Sequence, residues 1–195
     1  VKMAKDVFLR RGSAWNAEEI IGELGLPVFV KPTNGGSSFG ITKVKKVEEL
    51  APAIELVFKE YDSVIIEESI VGREFTNGIY PKDGELVRLP VTEIVTSREF
   101  FDYEAKYLGE SQEICPAQIP DELTARIQDT TEQIYRYMGC SGLVRMDYIV
   151  RNDEIYFLET NTVPGMTAMS LVPAQVRAAG IPMGEFFNTL IDNIK

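Results

Sequence analysis

The 195-residue chain contains no histidine. That absence excludes Ser-His-Asp and Cys-His catalysis, and every zinc site that needs an imidazole. Cysteine is nearly as scarce. Cys115 and Cys140 are too few for a disulfide framework, and their apolar or glycine-rich surroundings suggest buried free thiols in a reducing compartment. No stretch approaches the roughly 18 uncharged apolar residues of a membrane span, no signal-peptide pattern follows Val1, and internal repeats are missing. Basic residues are outnumbered, 20 Lys and Arg against 30 Asp and Glu, for a formal charge of −10. Such a surface repels phosphates and is a poor general binder of nucleic acid. Opening on Val1 and not on Met, the chain is expected to be a piece of a longer cytosolic protein.

What is present is the composition of a folded protein, 45% hydrophobic and 26% charged, long enough for one large domain or two small ones. The charge is divided. Residues 1–46 hold eight basic and four acidic side chains, so the remainder carries −14. The front can receive an anion and the acidic back can hold divalent cations.

The first part reads β-α-β-β-α-β, a small sheet with helices on one side. Strands are predicted over 5–10, 27–32, 41–46 and 63–67. One helix runs from N-cap Asn16 to Gly25, and another over 48–61 has Pro52 near its first turn. From Gly72, antiparallel strands over 73–80 and 86–95 flank the Asp83-Gly84 turn. Residues 96–118 form a polar and aromatic loop of the length that functional loops have. A helix over 121–138 capped by Asp121, a hairpin of 142–150 and 154–161, a Pro-Gly loop at 163–168 and a helix over 182–194 complete the chain.

Three constellations carry chemistry. Lys31-Pro-Thr-Asn-Gly-Gly-Ser-Ser-Phe-Gly40 joins two strands. Its glycines let backbone approach an anion and its hydroxyls and amides donate, as in a phosphate-covering loop, although it lacks the Walker pattern and could be an ordinary hairpin loop. In the hairpin of Arg145, Asp147, Glu159 and Asn161, alternation puts each pair on one face. A three-residue turn at 152–154 sets Asp147 across from Glu159 and Arg145 across from Asn161. Facing carboxylates repel, so a cation is expected between them. Oxygen ligands alone point to Mg²⁺ or Mn²⁺, and the alternative is a solvated face whose acids pair with arginines. Third, Val64-Ile-Ile-Glu-Glu-Ser-Ile-Val-Gly-Arg-Glu74 runs from a buried strand into acids, and Glu67, Ile70 and Glu74 could serve an adenine and a ribose.

Together with Asp102-Tyr-Glu-Ala-Lys-Tyr107, Gly142-Leu-Val-Arg-Met-Asp147, Leu158-Glu-Thr-Asn-Thr-Val-Pro-Gly-Met-Thr167 and Ser170-Leu-Val-Pro173, these stretches resemble the ATP-grasp superfamily, and within it the D-alanine–D-alanine ligases. The likeness covers essentially the whole chain. It implies an α+β fold of two α+β subdomains gripping ATP between them: 1–71, with the Gly/Ser loop, and 72–195, with the metal and D-alanine site. It implies as well an amino-terminal domain that these 195 residues do not include.

The resemblance also implies roles. Lys31 and Lys106 would reach the nucleotide phosphates, Glu67 and the Ile70 backbone would hold adenine, Glu74 the ribose, and Phe100 and Leu158 would line the ATP site. Asp147, Glu159 and Asn161 would ligate two Mg²⁺ or Mn²⁺ ions. Arg145 and the Gly165 amide would stabilise an oxyanion, Ser170 and Leu171 would anchor the second D-alanine's carboxylate, and Ser37 and Tyr107 would orient the acceptor. The implied reaction is ligation of two D-alanines through an acyl phosphate for peptidoglycan synthesis, in the cytoplasm, by a homodimer with no nucleic-acid or membrane partner.

Two departures qualify it. Without the amino-terminal domain, and without a further phosphate-binding lysine expected just before Val1, the chain alone is expected to fold but not to make dipeptide at a useful rate; and Glu68 stands where relatives often place lysine. Alternatives are a D-alanine–D-lactate or other carboxylate–amine ligase and, from another class, a non-catalytic nucleotide-binding module. The oxyanion arginine argues against the last.

Overall fold

The structure, a computed structural model, describes residues 1–35, 40–96 and 111–193. They fall into two compact units: Met3–Val71, and a larger one made of Val1, Lys2 and the described residues from Gly72 onward.

The smaller unit contains β1 (Asp6–Arg10), α1 (Ala17–Leu24), β2 (Val28–Pro32), β3 (Thr42–Val44), α2 (Val47–Glu60) and β4 (Ser63–Glu68). Its antiparallel sheet has the order β1-β4-β2-β3. Strand alternation turns Leu9, Val28, Val30, Val64 and Ile66 inward, where they pack with Ile20, Leu24, Leu50, Ile54 and Val57. The same alternation leaves Phe29, Lys31, Ile65 and Glu67 on the opposite face. Asn16 caps α1 by accepting from the Glu19 amide at 3.0 Å, and Gly25, at φ 77°, ends it. Helix α2 begins at Val47, so Pro52 lies beyond the first turn. Its missing N–H leaves one helical bond unmade. Burial of Leu50, Ala53, Ile54 and Val57 outweighs that loss, and Glu49 secures the start by accepting from the Lys45 and Lys46 amides at 2.9 and 3.2 Å.

The larger unit contains β5 (Arg73–Lys82), β6 (Glu85–Arg88), β7 (Thr92–Thr96), β8 (Ser111–Ile114), α3 (Asp121–Tyr137), β9 (Val144–Arg151), β10 (Glu154–Asn161), α4 (Leu171–Ala178) and α5 (Met183–Asp192). The sheet order is β10-β9-β5-β7-β8, with β6 paired to the end of β5. One cluster packs Phe75, Ile79, Met146 and Tyr148 with Ile127, Ile134 and Tyr135 of α3. Another gathers Tyr80, Leu89, Val172, Val176 and Phe186 around α4 and α5. Lys2 bridges to Tyr156, its carbonyl accepts from the Phe157 amide at 2.9 Å, and its ammonium pairs with Glu154.

Several expectations are corrected here. The run 86–95 is two strands, because Pro90 has no N–H and the Leu89 amide donates to Gly78 O at 2.9 Å as the chain steps from β6 to β7. Strand β8 lies inside the stretch read as loop. Pro120 is the N-cap of α3, and Asp121 occupies the first turn, where its charge suits the helix dipole. Helix α4 was not expected at all. Cys115 and Cys140 are free thiols but only half-buried. Burial still pushes the Cys115 thiol up, opposed by a hydrogen bond with Thr92.

Gly72 precedes β5 where a Cβ would stand 2.4 Å from the Val150 carbonyl oxygen. Gly72→Ala must part β5 from β9 and is expected to lower stability by about 1–3 kcal/mol, read as a fall in the urea midpoint.

Candidate active site

The Asn152-Asp153 turn, with φ of 52° and 64°, closes the β9–β10 hairpin in two residues, not the expected three, and pairs Glu154 with Arg151. That register, continued, would set Leu158 across from Asp147. A β-bulge between Phe157 and Glu159 absorbs Leu158 instead, so Asp147 pairs with Glu159 and Arg145 with Asn161. The expected partners therefore meet, by way of a bulge the pattern did not reveal.

Asp147 is the centre of the cluster. Its Oδ1 accepts from Arg145 Nε at 2.9 Å and Thr76 Oγ1 at 2.6 Å; its Oδ2 accepts from Arg145 Nη2 at 2.8 Å and Asn161 Nδ2 at 3.0 Å. Four hydrogen bonds from three side chains converge on this one carboxylate. The Arg145 side chain is 14% exposed and that of Asp147 is 9% exposed, so the fork-to-fork pair lies largely out of water. Burial opposes the Arg145 charge, but the Asp147 carboxylate, helped by Glu159 and Glu113, outweighs it and holds the guanidinium above its ordinary range. Burial also raises the Glu113 carboxyl, and Arg145 counters it. Asn161 Nδ2 reaches Glu159 Oε1 at 3.4 Å.

The cation expected between facing acids is thus partly supplied by Arg145. Among the described residues no group of three or more His, Cys, Asp or Glu gathers as a metal cage. The donor chemistry nonetheless fits a hard divalent ion: the two carboxylates and the Asn161 carbonyl are oxygen ligands, although Asn161 here turns its Nδ2 toward both acids, and the pair of acids exceeds the single arginine by one charge.

Beyond β10, a Cβ on Gly165 would stand 2.9 Å from Ser170 Oγ, so the loop closes tightly on the start of α4. Ser170 is the N-cap residue; its Oγ accepts from the Thr167 amide at 3.1 Å and lies 2.9 Å from Thr167 Oγ1. Leu171 opens the helix. Glu74 is on β5, on the face of Thr76, and pairs with Ile149.

In the smaller unit Lys31 Nζ lies 2.7 Å from Glu67 Oε2, joining two residues expected to serve different ends of a nucleotide. Ile70 is buried just after β4, and Glu68 Oε1 accepts from the Lys5 amide at 2.9 Å. Ser37, Phe100, Lys106 and Tyr107 lie outside the described residues. Thr76 and Gln175 escaped the sequence. Thr76 shows only as a threonine in a strand, and Gln175 sits on a helix with no clear signature.

A family model described as the D-ala D-ala ligase C-terminus matches residues 2–193. The chain belongs to the D-alanine–D-alanine ligase family. Curated D-alanine–D-alanine ligases of Phocaeicola vulgatus and Parabacteroides distasonis are 48% and 49% identical over 194 residues, 99% of this chain but 60% and 59% of theirs. The chain thus spans about three-fifths of the curated relatives' length. Among solved structures, VanG D-Ala:D-Ser ligase from Enterococcus faecalis matches with a TM-score of 0.85 at 38% identity, over 100% of this chain and 57% of that one. The D-alanine–D-alanine ligase of Bacillus anthracis matches at 0.84 and 35%, over 98% and 62%, and its complex with ATP at 0.81 and 30%, over 99% and 60%. The fold is the α+β ATP-grasp fold of these ligases.

Proposed function

We propose that the complete protein carrying this chain joins two D-alanines into D-alanyl-D-alanine, a peptidoglycan precursor, in the cytoplasm and as a homodimer. ATP phosphorylates the carboxylate of the first D-alanine. That transfer releases ADP; the amine of the second then attacks the acyl phosphate, loses a proton and expels phosphate, leaving an amide. The observation that carries this reading is the buried Arg145–Asp147 fork with Glu159 and Asn161 on the same face.

Each residue has a task suited to its chemistry. Arg145, held rigid by Asp147, offers donors to the oxyanion of the tetrahedral intermediate, and a fixed donor is worth more than one that must reorient. The Gly165 amide is the second donor, and Ser170 with Leu171 at the start of α4 takes the acceptor's carboxylate. Lys31 holds ATP phosphates, Glu67 and the Ile70 backbone adenine, Glu74 the ribose, and Leu158 lines the nucleotide site. Lys106, Phe100, Ser37 and Tyr107 keep the roles the family resemblance gives them.

Asp147, Glu159 and Asn161 would hold Mg²⁺ or Mn²⁺, two ions. When bound, they would supply positive charge against the transferring phosphoryl group.

The test is phosphate release and product analysis with ATP and D-alanine, D-serine or D-lactate as acceptor. We expect D-alanyl-D-alanine from the complete protein and no useful turnover from residues 1–195 alone. No phosphate from the complete protein with any acceptor would refute the ligase reading. A preference for D-serine or D-lactate would change the product.

A further inference from the structure

Gln175 is wholly buried, on the second turn of α4 and four residues after Leu171. Its carboxamide is satisfied entirely by the adjoining sheet. Oε1 accepts from the Gly78 amide at 3.0 Å, while Nε2 donates to Thr76 O at 3.1 Å and Thr92 Oγ1 at 3.2 Å. Paired registers run Thr76 to Thr92 between β5 and β7, then stop. Gln175 therefore continues the ladder past its last pair, accepting from the Gly78 amide and donating to the Thr76 carbonyl.

Gly78 is shaped to admit it. A Cβ there would stand 2.7 Å from Gln175 Oε1 and 2.9 Å from Leu89 Cδ1. The contacted segment is also the strand behind the site: Thr76 pairs with Asp147 and Gly78 with Arg145 in the β5–β9 register, and Thr76 Oγ1 donates to Asp147. Apolar contacts of Val172 and Val176 hold α4 to the unit but are not directional. Three hydrogen bonds with fixed geometry are.

We propose that Gln175 is a positioning residue, setting the first turn of α4, where Ser170 and Leu171 start the helix, in register with the strand that supports Asp147 and Arg145. It rests on the ligase reading above for the statement that this turn holds the acceptor's carboxylate. The consequence is specific to one substrate. Misplacing α4 weakens the acceptor and leaves the nucleotide alone, and errors near 1 Å have large kinetic effects.

The experiment uses the complete protein with Gln175→Leu, and with Thr92→Val as a milder variant that removes one of the three bonds. Dipeptide formation is followed while D-alanine is varied at saturating ATP, and ATP at saturating D-alanine. Hydrogen exchange is measured over the helical amides 174–178 of α4, the first of which donates to Ser170 O at 3.1 Å. Gln175→Leu is expected to raise the KM for the second D-alanine by about tenfold with the KM for ATP within about twofold. Thr92→Val should act in the same direction with a smaller effect, and amides 174–178 should exchange faster in both, relative to β9. Unchanged acceptor KM, or equal changes in both KM values, would overturn the proposal even if stability fell. If the unaltered protein makes no dipeptide, the ligase reading is what has failed, and exchange over 174–178 then decides the positioning role alone: unchanged protection overturns it. Should Gln175→Leu fail to fold, Thr92→Val carries the same two readouts.

Discussion

Replacing Arg145 by alanine is expected to lower turnover of the complete protein by about 10²–10³-fold and its stability by about 3–5 kcal/mol. The two losses have one origin. Asp147 is nearly enclosed and takes two of its four hydrogen bonds from this guanidinium. Removing the partner leaves a buried carboxylate with its desolvation uncompensated, which is far more harmful than never having buried the pair. On the proposed mechanism, the kinetic loss comes from removing a donor to the developing oxyanion. Arg145→Lys separates them. A lysine keeps the charge beside Asp147 but not the planar fork, so much of the stability should return while turnover stays low. Urea unfolding and phosphate release on the same preparations provide the comparison. Near-normal turnover in Arg145→Ala would remove Arg145 from the chemistry, and an unshifted urea midpoint would show that the pair does not stabilise the fold.

The second large effect belongs to Asn161. Asn161→Ala is expected to reduce turnover by orders of magnitude while stability falls by only about 1 kcal/mol, since a single hydrogen bond to Asp147 at 3.0 Å is lost from a half-buried position. Calorimetric titration with Mg²⁺ in the presence of ATP should show weaker ion binding in the variant. Wild-type turnover, or unaltered Mg²⁺ binding, would mean that the Asp147, Glu159 and Asn161 oxygens are not the ligand set.

Much of this site could be read before the structure because strand alternation is a strict rule. Arg145 with Asp147, and Glu159 with Asn161, share a face whatever else the chain does. The bulge was hidden because Phe157 and Leu158 are both apolar, and either could have pointed to the core; the choice depends on the two-residue Asn152-Asp153 turn that fixes the register. Strand β8 was obscured by its polar composition, Ser111-Gln-Glu-Ile, on an edge where only one side needs a ladder partner. Pro90 was legible as a strand breaker in principle, yet the apolar residues around it suggested continuity. Helix α4 is eight residues with Pro173 near its start, too short for periodicity to announce it. Gln175 could not be found from the sequence, since its role depends on Thr76, Gly78 and Thr92, each more than eighty residues away.

The bridge between Lys2 and Tyr156 sets an order on synthesis. The ribosome delivers the first residues of the larger unit, then all of Met3–Val71, and only much later the strand on which Lys2 docks. The smaller unit draws its sheet from about sixty neighbouring residues and can consolidate while the rest is still emerging. The larger one must wait for β10 before Lys2 can meet Tyr156. A nick anywhere in Met3–Val71 would consequently leave Lys2 held to the larger sheet only through Tyr156, Phe157 and Glu154, even though no bond of that sheet had been touched.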